Sequence, residues 1–183
     1  MYPVNRRSQR LALRELTVGD VDAIHAIYGS ELATEHLSFT PRTHDQVRDI
    51  VTRSIASATA EPRTEYALAL AERDDGEVLG FARLAMDPHQ QRAATMGFAL
   101  NPSTWGDGYG LECVQLLLGL AFEELGLHRV WGARSPRNAA SAQTMNKAGM
   151  VEEGRIREHI CKGGQWRDSI VHSVLETEWL PAA

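Results

Sequence analysis

The chain has 183 residues, of which 43% are hydrophobic and 23% charged, and its formal net charge is −5. This length predicts a single globular domain over residues 1–183, and the acidic balance argues against direct nucleic-acid binding. No apolar run approaches the roughly 20 residues that cross a bilayer, and the N-terminus lacks a secretory apolar segment. We therefore expect a cytoplasmic protein without a membrane partner.

The first elements follow from apolar spacing. "QRLALREL" alternates as a strand does, and Thr17 with Asp20 resembles a capping box that opens a helix in "VGDVDAIHAIYGSEL". A second helix is predicted from Thr43 and ends before Pro62. The basic run "RRSQR", before the first strand, is interpreted as a solvated arm.

The central part of the chain predicts three strands and a long helix. "TEYALALAERDDGEVLGFARLAMDP" contains two apolar runs separated by Asp74, Asp75 and Gly76, which is a hairpin signal, and "ATMGFALNP" is a third run. The following helix carries an apolar stripe from Leu111 to Leu125, and Gly126 supplies its stop.

The last third predicts a strand, a helix and a hairpin. "LHRVWGA" is strand-like, "NAASAQTMNKAG" is a short helix closed by Gly149, and the final two strands turn at Gly163 and Gly164. The predicted order is βα, α, βββ, α, β, α, ββ. The fold class is therefore α/β (α+β), with a mixed, mainly antiparallel sheet of about seven strands and four flanking helices.

The two cysteines do not indicate a metal or a disulfide. Cys113 and Cys161 lie far apart and match no metal-ligand spacing, so we expect two packing thiols and no metal site.

The segment "WGDGYG" places Gly106, Gly108 and Gly110 directly before the long helix. Glycine weakens a helix, but at a helix N-terminus it lets a phosphate approach free backbone N–H groups. A purely structural loop is the alternative. The P-loop and the dinucleotide fingerprint are both excluded, because the Gly-Lys-Ser/Thr ending is missing and the third glycine follows too early.

Several spaced motifs resemble the GNAT (Gcn5-related) N-acetyltransferase superfamily, specifically its RimJ/RimL-like branch, which includes the acetylases of ribosomal-protein N-termini. They are "LALRELTVGDVDAI", "GFALNPSTWGDGYGLECVQLLLGLAFEELGLHRVWG" and "NAASAQTMNKAGMVEEGRIREH", and they cover nearly the whole chain. The resemblance implies the GNAT fold, acetyl-CoA as cosubstrate, and acetyl transfer to a primary amine by direct attack.

The resemblance also implies which residues hold acetyl-CoA. The turn cradles the pyrophosphate, the strand "MGFALN" contacts the pantetheine arm, and a peptide N–H near Ala99 or Leu100 faces the thioester oxygen. Asn138 and Ser141 match the family's N-x-x-S element, which lies beside the thiol end of the cofactor. The alternative for Asn138 is an N-cap of the helix that follows. The implied cofactor-binding residues are Phe98, Ala99, Leu100, Trp105, Gly106, Asp107, Gly108, Tyr109, Gly110, Asn138 and Ser141. Trp105 departs from the Gln or Arg that usually opens the family signature, a difference that backbone binding tolerates.

The catalytic residues are less clearly marked. Many family members carry a tyrosine acid where Met145 stands here, so Ser141 is the candidate proton donor; the alternative is a hydroxyl bonded back to its own helix. Glu158 and His159 are the candidate bases, close to the branch's carboxylate position at Ile160. Since neighbouring residues on a strand face opposite ways, at most one can face the site, and either can be merely exposed.

The acceptor is expected near Glu35 and His36, between the first two helices, where a solvated loop is the alternative. Within the family we favour an N-terminal α-amine of a protein or peptide over a small amine such as an amino acid, polyamine or antibiotic. A catalytically inactive acyl-CoA-binding module is the alternative of another class. The resemblance also implies a homodimer, with the strand in "DSIVHSVLETEWL" near the interface or closing the sheet.

Overall fold

The computed structural model describes residues 2–180, and eight strands in that range form one sheet. They are β1 (Asn5–Arg7), β2 (Leu11–Glu15), β3 (Glu65–Glu72), β4 (Val78–Met86), β5 (Ala93–Leu100), β6 (Arg129–Arg134), β7 (Val151–Lys162) and β8 (Gln165–Leu175). Their spatial order is β1-β2-β3-β4-β5-β6-β8-β7. Every neighbouring pair is antiparallel except β5 and β6, which run parallel.

Five α-helices flank the sheet: α1 (Val21–Tyr28), α2 (Glu31–Thr34), α3 (His44–Ala58), α4 (Tyr109–Gly119) and α5 (Ala139–Lys147). The core has two layers, one between the sheet and α4, the other between the sheet and the pair α1 and α3. Strand β3 contributes to both layers, because successive side chains point to opposite faces of the sheet. Leu68 and Leu70 lie in the first layer, and Ala67 and Ala69 lie in the second.

The parallel pair β5 and β6 separates part-way along its length. The strands pair from Ala93 to Thr95 opposite Arg129 to Trp131, and the pairing ends there. Residues 96–100 remain paired with β4 on their other side. The backbone groups of this stretch that face away from β4 therefore have no strand partner, and a gap opens in the sheet.

The predicted fold class is confirmed, including the mixed, mainly antiparallel sheet. The predicted turns at Asp74–Gly76 and at Gly163–Gly164 connect β3 to β4 and β7 to β8, and the Thr17–Asp20 capping box precedes α1. The sheet has eight strands and the flanks five helices, not seven and four. The additions are β1 and α2, of three and four residues, which are too short to show a periodic pattern.

The basic segment before β2 is not a solvated arm, so that interpretation is wrong. Arg6 lies 2.6 Å from Glu123 and 2.5 Å from Glu124, and Arg10 lies 2.8 Å from Glu112. These carboxylates come more than a hundred residues later, so sequence neighbours do not reveal them.

The cysteine expectation holds for one residue only: Cys113 is buried in α4, whereas Cys161 is exposed on β7. Within residues 2–180, no helix combines the length and apolar content that a membrane span requires.

His172 on β8 is fully buried and accepts a hydrogen bond at Nε2 from Arg134 Nε, 3.0 Å away. Burial and the charge of Arg134 lower the pKa of His172 despite Glu152 nearby, so the folded chain binds a proton at this ring less readily than the unfolded chain does. The unfolded chain binds a proton below about pH 6.5, and stability therefore falls as pH drops through that value.

Replacing His172 tests whether its protonation in the unfolded chain causes part of the loss of stability at low pH. A His172→Gln variant retains an acceptor for Arg134, and we expect it to lose less thermal stability than the parent between about pH 7.5 and about pH 5.5. Melting temperatures of both proteins at the two pH values measure the difference. Parallel losses in the two proteins would show that His172 does not contribute.

Candidate active site

A turn of residues 105–110 connects β5 to α4. Gly106 and Gly108 have φ angles of 95° and 84°, a left-handed conformation that favours glycine. Gly108 is the N-cap of α4 and brings no side chain to cover the helix end. The N–H groups of residues 106–110 make no hydrogen bond within the described part of the chain. Free N–H groups at the positive end of a helix dipole form an anion-binding site.

Arg10 holds this turn in place from the N-terminal segment. Its Nη1 donates to the carbonyl oxygen of Asp107 at 2.9 Å, and its guanidinium lies 4.3 Å from the ring centroid of Tyr109. Its Nε donates at 2.9 Å to Glu112, which also accepts from Ser8. Burial favours a raised pKa for Glu112, but the hydrogen bonds from Ser8 and Arg10 outweigh it and lower the pKa. The turn is therefore fixed before any ligand binds.

A first cavity of about 470 Å³ opens in front of the turn, a volume typical of small-ligand sites. Its walls include most of the predicted cofactor residues: Phe98, Ala99, Leu100, Trp105, Gly106, Gly108, Tyr109, Gly110, Asn138 and Ser141. Asp107 does not line it. The free N–H groups of the turn suit a pyrophosphate, and the backbone groups of β5 without a strand partner suit the polar groups of an extended ligand arm.

A second cavity of about 290 Å³ lies on the other side of the β5 end, against β4, β6, β7 and β8. Six residues line both cavities: His36, Leu37, Phe98, Ala99, Asn138 and Ser141. The two spaces therefore meet at the first turn of α5. This arrangement lets a ligand in one cavity present its reactive end to a ligand in the other.

Asn138 and Ser141 form the shared wall from α5. The side-chain oxygen of Asn138 accepts from the backbone N–H of Ser141 at 2.9 Å, so the N-cap alternative is observed. The Ser141 hydroxyl makes no hydrogen bond to any residue in the described range, so it is not bonded back to its helix. Met145 is buried, lines the second cavity and has no proton to donate.

The structure separates the two candidate bases. Strand β7 is irregular between Ile156 and Ile160, and Glu158 there has a φ of 49°. The Glu158 N–H donates to Asp168 at 2.8 Å, and its exposed side chain lines neither cavity. His159 lines the second cavity, and its Nδ1 is buried without a hydrogen-bond partner among residues 2–180. Ile160 also lines that cavity.

Glu35 and His36, the two candidate acceptor-site residues after α2, also differ in whether they line the cavities. His36 lines both cavities, whereas Glu35 is exposed, lines neither, and lies 3.7 Å from Arg137. Two hydrogen bonds from the β7–β8 hairpin hold the segment that contains Glu35 and His36. Lys162 Nζ donates to the Glu35 carbonyl and Arg167 Nη2 donates to the His36 carbonyl, each at 2.9 Å.

Several residues that line the second cavity carry no local sequence signal. They are Tyr28 on α1, Arg83 on β4, Arg134 on β6 and Arg167 on β8. Tyr28 packs between Phe39 and Phe81, and burial raises its pKa, so its hydroxyl stays protonated. These positions lie far apart along the chain, and only the folded sheet brings them together.

The family follows from a comparison that covers most of the chain. The model of the acetyltransferase (GNAT) domain matches residues 10–151. The chain belongs to the GNAT acetyltransferase family. This GNAT chain is therefore an N-acetyltransferase with acetyl-CoA as cosubstrate.

Individual relatives share the fold at low identity. An uncharacterized N-acetyltransferase, p20 of Bacillus licheniformis, is 26% identical over 173 residues, 94% of this chain and 96% of that one. The ribosomal protein uS5 alanine N-acetyltransferase of Escherichia coli is 21% identical over 117 residues, 63% of this chain and 60% of that one.

A solved spermidine N-acetyltransferase of Vibrio cholerae, in complex with CoA and spermine, is 20% identical with a TM-score of 0.80. The match covers 93% of this chain and 98% of that one. The uS5 enzyme and the spermidine enzyme are named for different acceptors, so the comparisons do not select one for this chain.

Proposed function

We propose that this GNAT acetyltransferase acetylates the N-terminal α-amine of a protein or peptide, as the RimJ/RimL-like branch does, by direct attack in a ternary complex. One observation carries the proposal: the cavity at the glycine turn and the cavity beside β7 share a wall at Ser141. A direct attack requires the thioester and the amine to meet, and this wall is where the two spaces join.

The residues available as bases support an α-amine. Neither cavity is lined by an aspartate or glutamate in the described range, and the histidines that line them are His36 and His159. An α-amine with a pKa of about 7.7–8.0 is roughly a tenth to a fifth neutral at pH 7, whereas a lysine amine is only about 0.04% neutral. An α-amine therefore needs little help from a base to lose its proton, whereas a lysine or polyamine amine needs much more.

Each part of the site has a role in this proposal. The free N–H groups of the turn bind the pyrophosphate, and the unpaired edge of β5 binds the pantetheine arm. An N–H near Ala99 or Leu100 polarises the thioester carbonyl, and Ser141 gives a proton to the departing thiolate. His159 takes the proton of the attacking amine, directly or through water, and Glu158 has no part in this step because it lies outside both cavities.

Two alternatives make different predictions. A small-molecule amine is the first, because the spermidine N-acetyltransferase of Vibrio cholerae shares this fold. The second is a catalytically inactive acyl-CoA-binding module, which Met145 at the tyrosine position favours. The module predicts tight acetyl-CoA binding with no thiol release on any acceptor.

An acceptor panel tests the proposed function. Thiol release from acetyl-CoA is measured with peptides beginning with Ala, Ser or Met, and with free amino acids, polyamines and aminoglycosides, and mass spectrometry locates the acetyl group. We expect α-amine acetylation of a peptide to have the highest kcat/KM. Turnover confined to polyamines or aminoglycosides would overturn the choice of acceptor.

We also propose that the protein is a homodimer in the cytoplasm. Strand β8 lies inside the sheet, and β7 forms its edge, with Val151 56% and Trp166 of the same hairpin 62% exposed. Exposed apolar side chains at a free strand edge favour association. Light scattering at micromolar concentration is expected to give twice the chain mass of 20.2 kDa. A result equal to the chain mass would refute the dimer.

A further inference from the structure

The second cavity, called the acceptor cavity below, is lined by positively charged side chains and by no negatively charged one in the described range. Its lining residues include Arg83, Arg134 and Arg167, and no aspartate or glutamate of residues 2–180 is among them. The whole chain, by contrast, has a net charge of −5. A cationic cavity in an acidic protein indicates an anionic ligand.

The three arginines differ in their partners. Arg83 pairs with Glu65 at 2.6 Å, and Arg134 lies 3.1 Å from Glu152. Arg167 forms no ion pair with any residue that the structure describes. Its Nη2 donates to the carbonyl oxygens of His36 and Leu37 at 2.9 and 2.8 Å, and its Nε is buried without a hydrogen-bond partner. Of the three arginines that line the cavity, Arg167 is the one without a carboxylate partner among residues 2–180.

Neighbouring cations increase this excess of positive charge. Lys162 donates to the carbonyls of Thr34 and Glu35, and the Arg42 guanidinium lies 4.9 Å from the centroid of Phe39, a cavity residue. Burial and the charge of Arg137 lower the pKa of Arg167, and burial and the charge of Arg167 lower the pKa of Lys162 although the charge of Glu35 opposes this. A partly buried charge without a partner is costly, and a bound carboxylate removes that cost through charge-assisted hydrogen bonds.

We propose that the acceptor amine belongs to a molecule that carries a carboxylate close to the amine, and that Arg167 binds this carboxylate in the acceptor cavity. The inference rests on the proposed function and narrows its substrate class. Arg167 lies beyond residues 10–151, which the GNAT domain model matches. Polycationic acceptors are excluded, because they would add positive charge to a cavity that already has it in excess.

Matched acceptors test the carboxylate requirement. One pair is Ala-Glu-amide and Ala-Gln-amide, which differ in a side-chain carboxylate; the other is Ala-Ala and Ala-Ala-amide, which differ at the chain end. Spermidine is the cationic comparison. We expect the anionic member of at least one pair to have a kcat/KM about tenfold higher or more. The pair that shows the preference identifies where the carboxylate lies.

Variants assign the preference to Arg167. In Arg167→Gln we expect the two members of the preferred pair to become equal within about twofold, with the KM for acetyl-CoA nearly unchanged. Arg167→Lys, which keeps the charge, retains part of the preference. Arg155→Gln is the matched control, because Arg155 lies on the same hairpin, pairs with Asp168 and lines neither cavity. Circular dichroism confirms that each variant is folded.

Two results would overturn the inference. One is equal kcat/KM for both members of both pairs, or a higher value for spermidine. The other is an equal loss for both members in Arg167→Gln, which would mean that Arg167 acts only by holding the His36 and Leu37 carbonyls.

Failure of the proposed function is distinguishable from both, because no acceptor would then release thiol. In that case, calorimetric titration of the same pairs into the protein saturated with CoA decides the inference. Selective binding of the carboxylate member supports it, and equal or undetectable binding contradicts it.

Discussion

Replacing Gly110 with valine is expected to weaken acetyl-CoA binding by about tenfold or more while leaving the fold intact. A Cβ at Gly110 would lie 3.6 Å from both Phe98 and Thr144, an ordinary contact, and its φ is not positive. The fold therefore accepts a side chain there. Gly110 lines the first cavity, however, and we expect the two valine methyl groups to take up space that the pyrophosphate needs to reach the backbone N–H groups.

Calorimetric titration of acetyl-CoA measures this effect. Gly19→Val is the control, because Gly19 lies in the turn before α1, lines neither cavity, and its Cβ would meet only Thr17 Oγ1 at 3.5 Å. We expect the control to bind as the parent does. Unchanged affinity in a folded Gly110→Val protein would mean that the turn is not the pyrophosphate site.

Removal of the Ser141 hydroxyl is expected to slow turnover. Ser141 lines both cavities and its hydroxyl is free of intramolecular hydrogen bonds in the described range, so it can reach the departing thiolate. A general acid contributes typically about 10²–10⁴-fold, and Ser141→Ala should lower kcat by an amount within or below that range. Acetyl-CoA affinity should change by only about a few-fold, because backbone groups hold the cofactor.

Two other candidate acids serve as comparisons for Ser141. Cys113 is fully buried, burial raises its pKa to about 12, and it lines neither cavity. The Tyr109 hydroxyl lies 3.4 Å from Glu72, on the side of β3. We expect Cys113→Ala and Tyr109→Phe to retain turnover. Parent-like kinetics in Ser141→Ala together with loss of activity in either comparison variant would place the acid on α4.

Local patterns were sufficient to predict the order of elements and the cofactor turn. The alternation in β2, the apolar runs of β3 and β4 around their turn, the glycines after α5 and in the last hairpin, and the glycine cluster before α4 are each patterns of a few neighbouring residues. The same locality explains why Asn138 was recognised as a possible N-cap. Such features depend on backbone conformation and nearest neighbours, which a sequence displays directly.

The acceptor cavity could not be predicted in this way. Arg83, Arg134 and Arg167 belong to β4, β6 and β8, which are far apart in the chain, and β8 pairs with β6 only because it inserts between β6 and β7 in the sheet. The irregular pairing of β7 near Glu158 arises from its contact with Asp168 on the next strand. The hydrogen bonds between Arg10 and Glu112, beside the glycine turn, join residues that are 102 positions apart in the chain. The cavity, the irregular part of β7 and the contact between Arg10 and Glu112 all depend on residues far apart in the chain. No short sequence pattern reveals such contacts.

In the proposed reaction an amine attacks the thioester directly across the shared wall at Ser141. Initial rates of thiol release, measured over a matrix of acetyl-CoA and peptide concentrations, test this direct attack. We expect intersecting double-reciprocal lines, which show that both substrates are bound before product leaves. Parallel lines would indicate a covalent acetyl-enzyme and contradict direct attack, and an absence of thiol release with every acceptor would contradict the assignment as an enzyme.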